Sequence, residues 1–116
     1  NKNEKSVIAF LSARVGSISD NSLGGWYSYR SSKTALNQIV KNFSIELKRT
    51  NKNAIALALQ PGTVESKFSE PFQKNVSKEK LFSPQYSVKL LSKVIEGTSA
   101  EDSGNLISYD GNTISP

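Results

Sequence analysis

No cysteine and no histidine occur in the 116 residues. Without cysteine there are no disulfides and no thiolate metal ligands, and without histidine the commonest metal ligand and general base is missing. No metal site is therefore expected, and a Ser-His-Asp hydrolase cannot be assembled within this chain. There is also no run of about 18 or more apolar residues to span a bilayer. No basic-apolar-small leader opens the sequence. The expectation is a cytoplasmic protein without a membrane partner. Acidic residues are the minority, 10 against 15 Lys and Arg, for a formal charge of +5. The lysines are scattered, at Lys2, Lys5, Lys41, Lys48, Lys52, Lys74, Lys78, Lys89 and Lys93, with no arginine-rich block or aromatic-interleaved stripe. This reads as a solvated surface rather than a nucleic-acid interface.

What is present, 36% hydrophobic and 22% charged residues, suits one small domain. Residues 1–5 are a polar connection. Residues 6–11, Ser-Val-Ile-Ala-Phe-Leu, form a continuous apolar run that predicts a strand buried on both faces of a parallel sheet. Residues 12–28 are rich in Ser, Gly and Asn, a loop at the carboxyl end of that strand, where open α/β sheets place their ligands. From 29 to 50, Ala35, Leu36, Ile39, Val40, Phe43 and Leu47 recur at helical spacing. After a turn at 51–53, residues 54–59 predict a second buried strand, ended by Pro61-Gly62. Residues 63–82 read as a mobile lid with short helical turns. Ser83-Pro84 starts a helix, with Ser as N-cap and Pro at the first helical position, and Gly97 stops it. Residues 105–109 predict a third strand, and Asp110-Gly111 turns the chain again.

Strand, helix, strand, helix, strand means α/β architecture with parallel strands and right-handed crossovers. Three strands make a narrow sheet, and a buried run such as 7–11 needs a neighbour and a helical layer on each side.

At the centre of the chain stands Tyr29-Arg30-Ser31-Ser32-Lys33. On a helix, residues four apart share a face, so the Lys33 ammonium stands beside the Tyr29 phenol. A phenol titrates near pH ~10, and a neighbouring positive charge favours its ionised form. Spacing alone fits a solvated lysine and a packing tyrosine better than a catalytic pair, and the surrounding segments change that balance. Upstream runs Ser12-Ala13-Arg14-Val15-Gly16-Ser17-Ile18, then Gly24-Gly25-Trp26-Tyr27-Ser28-Tyr29-Arg30; downstream runs Gln60-Pro61-Gly62-Thr63-Val64-Glu65-Ser66.

In this order the motifs resemble the C-terminal half of the short-chain dehydrogenase/reductase family, in the branch of C-factor-like and sniffer-type carbonyl reductases. The resemblance implies that residues 1–116 are the C-terminal half of a single Rossmann-type, doubly wound NAD(P)-binding domain. The family's Gly-rich pyrophosphate turn and its Asn-Asn-Ala-Gly segment are not found in this sequence. It further implies hydride transfer between NAD(P)H and a small-molecule carbonyl or alcohol; NADPH is chosen over NADH as a guess, because in the family that choice rests on residues of the half not found here. Tyr29 would be the general acid/base and Lys33 would lower its pKa and hold the nicotinamide ribose. A serine would hold the substrate oxygen. Ser17 is preferred because it lies twelve residues before Tyr29. Ser12 is the alternative, because the Ser-Ser-x-x-Gly alignment puts Ser12-Ala13 over the serine pair and Ala13 over the catalytic one. Pro61, Gly62, Val64 and Ser66 would meet the cofactor, while Trp26, Tyr27, Phe68 and Phe72 would line a substrate pocket. The 116 residues alone are expected to be inactive, and the longer parent to be a homo-oligomer, dimer or tetramer. With the partner helix missing, the apolar face of residues 35–47 is expected to be exposed or mispaired. The other reading is a non-catalytic, C-factor-like signalling or interaction protein that keeps the fold.

Overall fold

The computed structural model describes residues 3–116; Asn1 and Lys2 of the leading connection, and the side chain of Phe72, lie outside the described residues. The two apolar runs become strands β1 (Ser6–Leu11) and β2 (Ala54–Gln60), joined by helix α1 (Tyr27–Thr50). Two-residue strands β3 (Thr63–Val64) and β4 (Leu81–Phe82) pair in parallel within the expected lid, around short 3-10 turns. Helix α2 (Pro84–Gly97) leads to β5 (Leu106–Ser108) and β6 (Thr113–Ile114). The main sheet has the order β1-β2-β5-β6. β1 and β5 flank β2 in parallel, with Ser6 opposite Ala54 and Leu11 opposite Leu59. β6 returns antiparallel to β5 after the Asp110-Gly111 turn, a strand too short to show as a run in the sequence.

β2 is the centre of the fold, and its period of two divides the core. Ala56 and Ala58 face Val40, Leu36, Phe43 and Leu47 of α1 together with Phe10, Leu106 and Ile114. Ile55, Leu57 and Leu59 face the other way, onto Ile107, Val7 and Leu91, Val94 and Ile95 of α2. One helix therefore covers each face, as a doubly wound sheet requires. Of the apolar face expected to be exposed or mispaired, Leu36, Val40, Phe43 and Leu47 pack on the sheet, while Ala35 and Ile39 stay exposed, Ile39 at 59%. The opposite correction applies to β1. It is not buried on both faces, because β2 pairs with it along one edge, and Ile8 and Leu11 stay exposed.

α1 begins two residues earlier than the apolar periodicity indicates. Its N-cap is Trp26, in the left-handed region at φ 49°, uncommon for a residue with a side chain. Arg30 compensates from inside the helix: its guanidinium donates to the carbonyls of Gly24, Gly25 and Val15 and ties the preceding loop to the first turn. α2 begins as the sequence indicates, with Ser83 Oγ accepting the Tyr86 N–H at 3.2 Å. Ser83→Ala is expected to cost about 1 kcal/mol of stability in a chemical-denaturation measurement. No helix among the described residues is long and apolar enough to cross a membrane.

Candidate active site

A cavity of about 630 Å³ opens at the carboxyl ends of β1 and β2, between the start of α1, the segment 63–82 and α2. Residues 11–15 at the end of β1 and 60–64 at the end of β2 form its floor, the position at which α/β sheets gather ligands.

Tyr29 and Lys33 both line it, four residues apart on one face of α1. The Lys33 ammonium donates to the Leu11 carbonyl at 3.1 Å and lies 5.8 Å from the centroid of the Tyr29 ring. It is thus over the ring face. Burial raises the Tyr29 phenol above its ordinary value, so the expected lowering by Lys33 is not what the structure shows. The reason is geometric: the ammonium is aimed at a backbone carbonyl and the ring face, and desolvation of the phenolate prevails. Phe68 closes over the same tyrosine, with ring centroids 6.3 Å apart.

The two candidate serines part company. Ser12 is buried on the cavity wall, its N–H bonded to the Leu59 carbonyl at 2.8 Å and its Oγ donating to Asn37 Oδ1 at 2.5 Å. Ala13, also buried, adjoins it on the same wall. Ser17 is not on that wall. Its hydroxyl donates to the Ser115 carbonyl and accepts the Asp20 N–H at 3.2 Å, holding the tail beside β6 against the loop. The cause is the 3-10 turn Arg14–Gly16, which turns the chain behind α1. There Gly16 sits so close to the helix that a Cβ would lie 2.8 Å from the carbonyl carbon of Lys33. Ser17→Ala is expected to cost about 1 kcal/mol on thermal or chemical denaturation, as a buried bond to the tail is lost.

Of the aromatic candidates, Trp26 and Phe68 line the cavity. Tyr27 does not: it is 85% exposed and borders a separate groove on the far side of the α1 N-terminus, the groove that also holds Ser17. The periodicity that puts Tyr29 inward turns a residue two positions earlier away. At the end of β2, Pro61, Gly62, Val64 and Ser66 all reach the cavity. Gly62 has φ 75°, and a Cβ on it would come within 2.9 Å of the Phe82 ring. The Ser66 hydroxyl accepts the Ser69 N–H at 3.2 Å, just before the 3-10 turn that starts at Glu70.

Three supporting residues escaped the reading of the sequence. Asn37 holds the Ser12 hydroxyl; it lies one turn beyond Lys33, so helical spacing alone could have found it. Thr34 Oγ1 donates to the Gly16 carbonyl at 2.8 Å, fastening the 3-10 turn to α1. Gln60 Oε1 accepts the Arg14 N–H at 3.0 Å across the cavity floor. Neither of the last two carries a local signal, since both act between segments distant in sequence. Among the described residues no group of three or more acidic, Cys or His side chains gathers to hold a metal ion.

No family model matches the chain. Among curated proteins it is 33% identical over 109 residues to 1-hydroxy-2-glutathionyl-2-methyl-3-butene dehydrogenase of Rhodococcus sp. (strain AD45), covering 94% of this chain and 46% of that protein. It is 33% identical over 107 residues to C-signal of Myxococcus xanthus, covering 92% and 59%. Among solved structures, carbonyl reductase Sniffer of D. melanogaster superposes with a TM-score of 0.80 at 26% identity, over 96% of this chain and 41% of that one. The NADPH-bound carbonyl reductase from chicken fatty liver gives 0.80 at 28%, over 97% and 43%. In sequence and fold the chain is similar to the short-chain dehydrogenases/reductases. It spans about half the length of the curated relatives it matches. Its α/β elements correspond to the C-terminal half of the short-chain reductase fold, with the Tyr29–Lys33 helix against the central parallel strand.

Proposed function

We propose that these residues are the C-terminal half of a single NAD(P)-binding domain, in a cytoplasmic reductase that transfers hydride from NADPH to a carbonyl substrate. The observation that carries this reading is the Tyr29–Lys33 pair on the wall of a cavity at the carboxyl ends of two parallel strands. The residues fit an anionic dinucleotide. No carboxylate is found among the described residues lining the cavity, and Lys33, Ser66 and the backbone around Val64 offer donors or dipoles there. In this reading Lys33 holds the ribose, and Pro61, Gly62, Val64 and Ser66 border the nicotinamide and pyrophosphate. When bound, NADPH supplies the hydride to the carbonyl carbon. The Tyr29 hydroxyl gives its proton to the oxygen as the C=O electron pair moves there. Ser12, rather than Ser17, is the hydroxyl near the substrate oxygen, and it serves that oxygen by turning its O–H away from Asn37 Oδ1, to which it now donates. Trp26 and Phe68 bound the apolar part of the pocket.

Burial, by raising the phenol, keeps Tyr29 in its protonated form over a wider alkaline range. A protonated Tyr29 at neutral pH is ready to donate, whereas the reverse oxidation needs the phenolate. Reduction is therefore expected to be flat through neutral pH and to fall only in the alkaline range above the ordinary phenol value, while alcohol oxidation gains over the same range. Initial rates in both directions across pH check this, and a reduction rate that already falls near neutrality would contradict it.

The deciding assay compares the full-length protein with the isolated 116 residues, using NADPH or NADH with aldehydes and ketones. Turnover is expected from the full-length protein, a dimer or tetramer, and none from the isolated residues. A specific observation favours the second reading, a non-catalytic signalling relative: Ala13 stands where the serine-pair alignment expects the catalytic hydroxyl. A Tyr29→Phe protein that keeps full biological activity would support that reading.

A further inference from the structure

We propose that Arg14 makes this cavity selective for carbonyl substrates that carry a carboxylate on an apolar body; the inference rests on the function proposed above. The charged residues on the described cavity wall are Arg14 and Lys33, both cations. They are not equivalent. The Lys33 ammonium is committed to the Leu11 carbonyl and the Tyr29 ring. Arg14 is held mainly through its backbone: its N–H donates to Gln60 Oε1 at 3.0 Å, and its carbonyl accepts the Ser17 N–H at 2.9 Å. Both bonds hold its backbone in place at the cavity, so the guanidinium swings from a fixed point in the 3-10 turn that follows β1.

What that guanidinium holds is slight. Its ion pair is with Asp20, through Nη1 at 3.4 Å, and the two side chains are 45% and 43% exposed. A single long contact in solvent is worth little. It also uses one of the five N–H donors of an arginine, leaving a planar fork suited to bidentate binding of a carboxylate. The nearby walls are apolar, with Val15, Trp26, Phe68, Val88 and Leu91. An oxo acid would place its apolar body on that wall and its carboxylate on the Arg14 guanidinium, displacing the Asp20 contact while its carbonyl faces Tyr29.

The test uses the full-length protein with NADPH and two near-isosteric aldehydes, 4-formylbenzoate and 4-formylbenzamide. The readout is the ratio of kcat/KM, acid over amide. We expect the ratio to favour the acid, to fall about tenfold or more in Arg14→Gln through KM for the acid, and to rise in Asp20→Asn, which removes the competing carboxylate. A ratio that does not change in Arg14→Gln overturns the inference. So does an effect confined to KM for NADPH, because Arg14 would then serve the cofactor phosphates. If neither aldehyde nor any other carbonyl is reduced, the proposed function itself fails and this inference falls with it. Reduction of both aldehydes without preference defeats the inference alone.

Discussion

Replacing Tyr29 by Phe is expected to lower carbonyl reduction by the full-length protein about 10²- to 10⁴-fold, the range lost when a positioned general acid is removed. The substitution is close to a pure deletion of the hydroxyl. Phe keeps the ring that lies beneath the Lys33 ammonium and the contact with Phe68, so the cavity wall remains. Stability should accordingly change little, because the ring stays and only a partly buried hydroxyl is lost. The check is kcat for NADPH oxidation, with a denaturation midpoint measured alongside. A loss of only a few-fold would mean that the carbonyl oxygen is protonated by another group and that Tyr29 is a packing residue.

Gly16→Val should have the largest effect on the architecture of the site. The added Cβ would lie 2.8 Å from the Lys33 carbonyl carbon and 2.9 Å from the Thr34 nitrogen, both backbone atoms that cannot rotate away. Either the 3-10 turn lifts off α1 or the helix shifts. In both cases the Thr34-to-Gly16 bond is strained, and the end of β1 carrying Ser12 and Ala13 moves relative to Tyr29. We expect a loss of about 1–3 kcal/mol, as in overpacked cores, together with a fall in kcat. Gly97→Ala is the contrast. A Cβ there meets nothing within 4 Å, so restricting the unfolded chain should leave stability unchanged or raise it by up to about 1 kcal/mol. Equal destabilisation by the two substitutions would remove close packing at Gly16 as the explanation.

These two glycines mark the boundary of what a sequence can reveal here. The strands at Ser6–Leu11 and Ala54–Gln60 and the helix over 29–50 were legible because apolar runs and 3.6-residue spacing are local properties. The same spacing correctly put Tyr29 and Lys33 on one face of α1. The choice between Ser12 and Ser17 was not legible: both lie in one Ser/Gly-rich loop, and only the close approach of Gly16 to α1 sends Ser17 toward Ser115. Tyr27 was misplaced by a smaller margin, a rotation of two residues about the helix axis. The exposure of β1 follows from the absence of a second described neighbour, which no pattern inside residues 6–11 encodes. The direction of the Tyr29 shift depends on burial and on where the Lys33 ammonium is aimed, both tertiary facts.

The most direct test of the central claim, that this cavity transfers hydride to a carbonyl, is isotope transfer. The full-length protein is given NADPH carrying deuterium at the nicotinamide hydride position, together with a reducible aldehyde, and the alcohol formed is analysed by mass spectrometry and NMR. Deuterium on the carbinol carbon in the wild-type product, lost along with turnover in Tyr29→Phe, is the result expected from the Tyr29–Lys33 geometry. Folded protein that binds NADPH and yields no labelled alcohol from any carbonyl offered would contradict the claim and leave the signalling reading in its place.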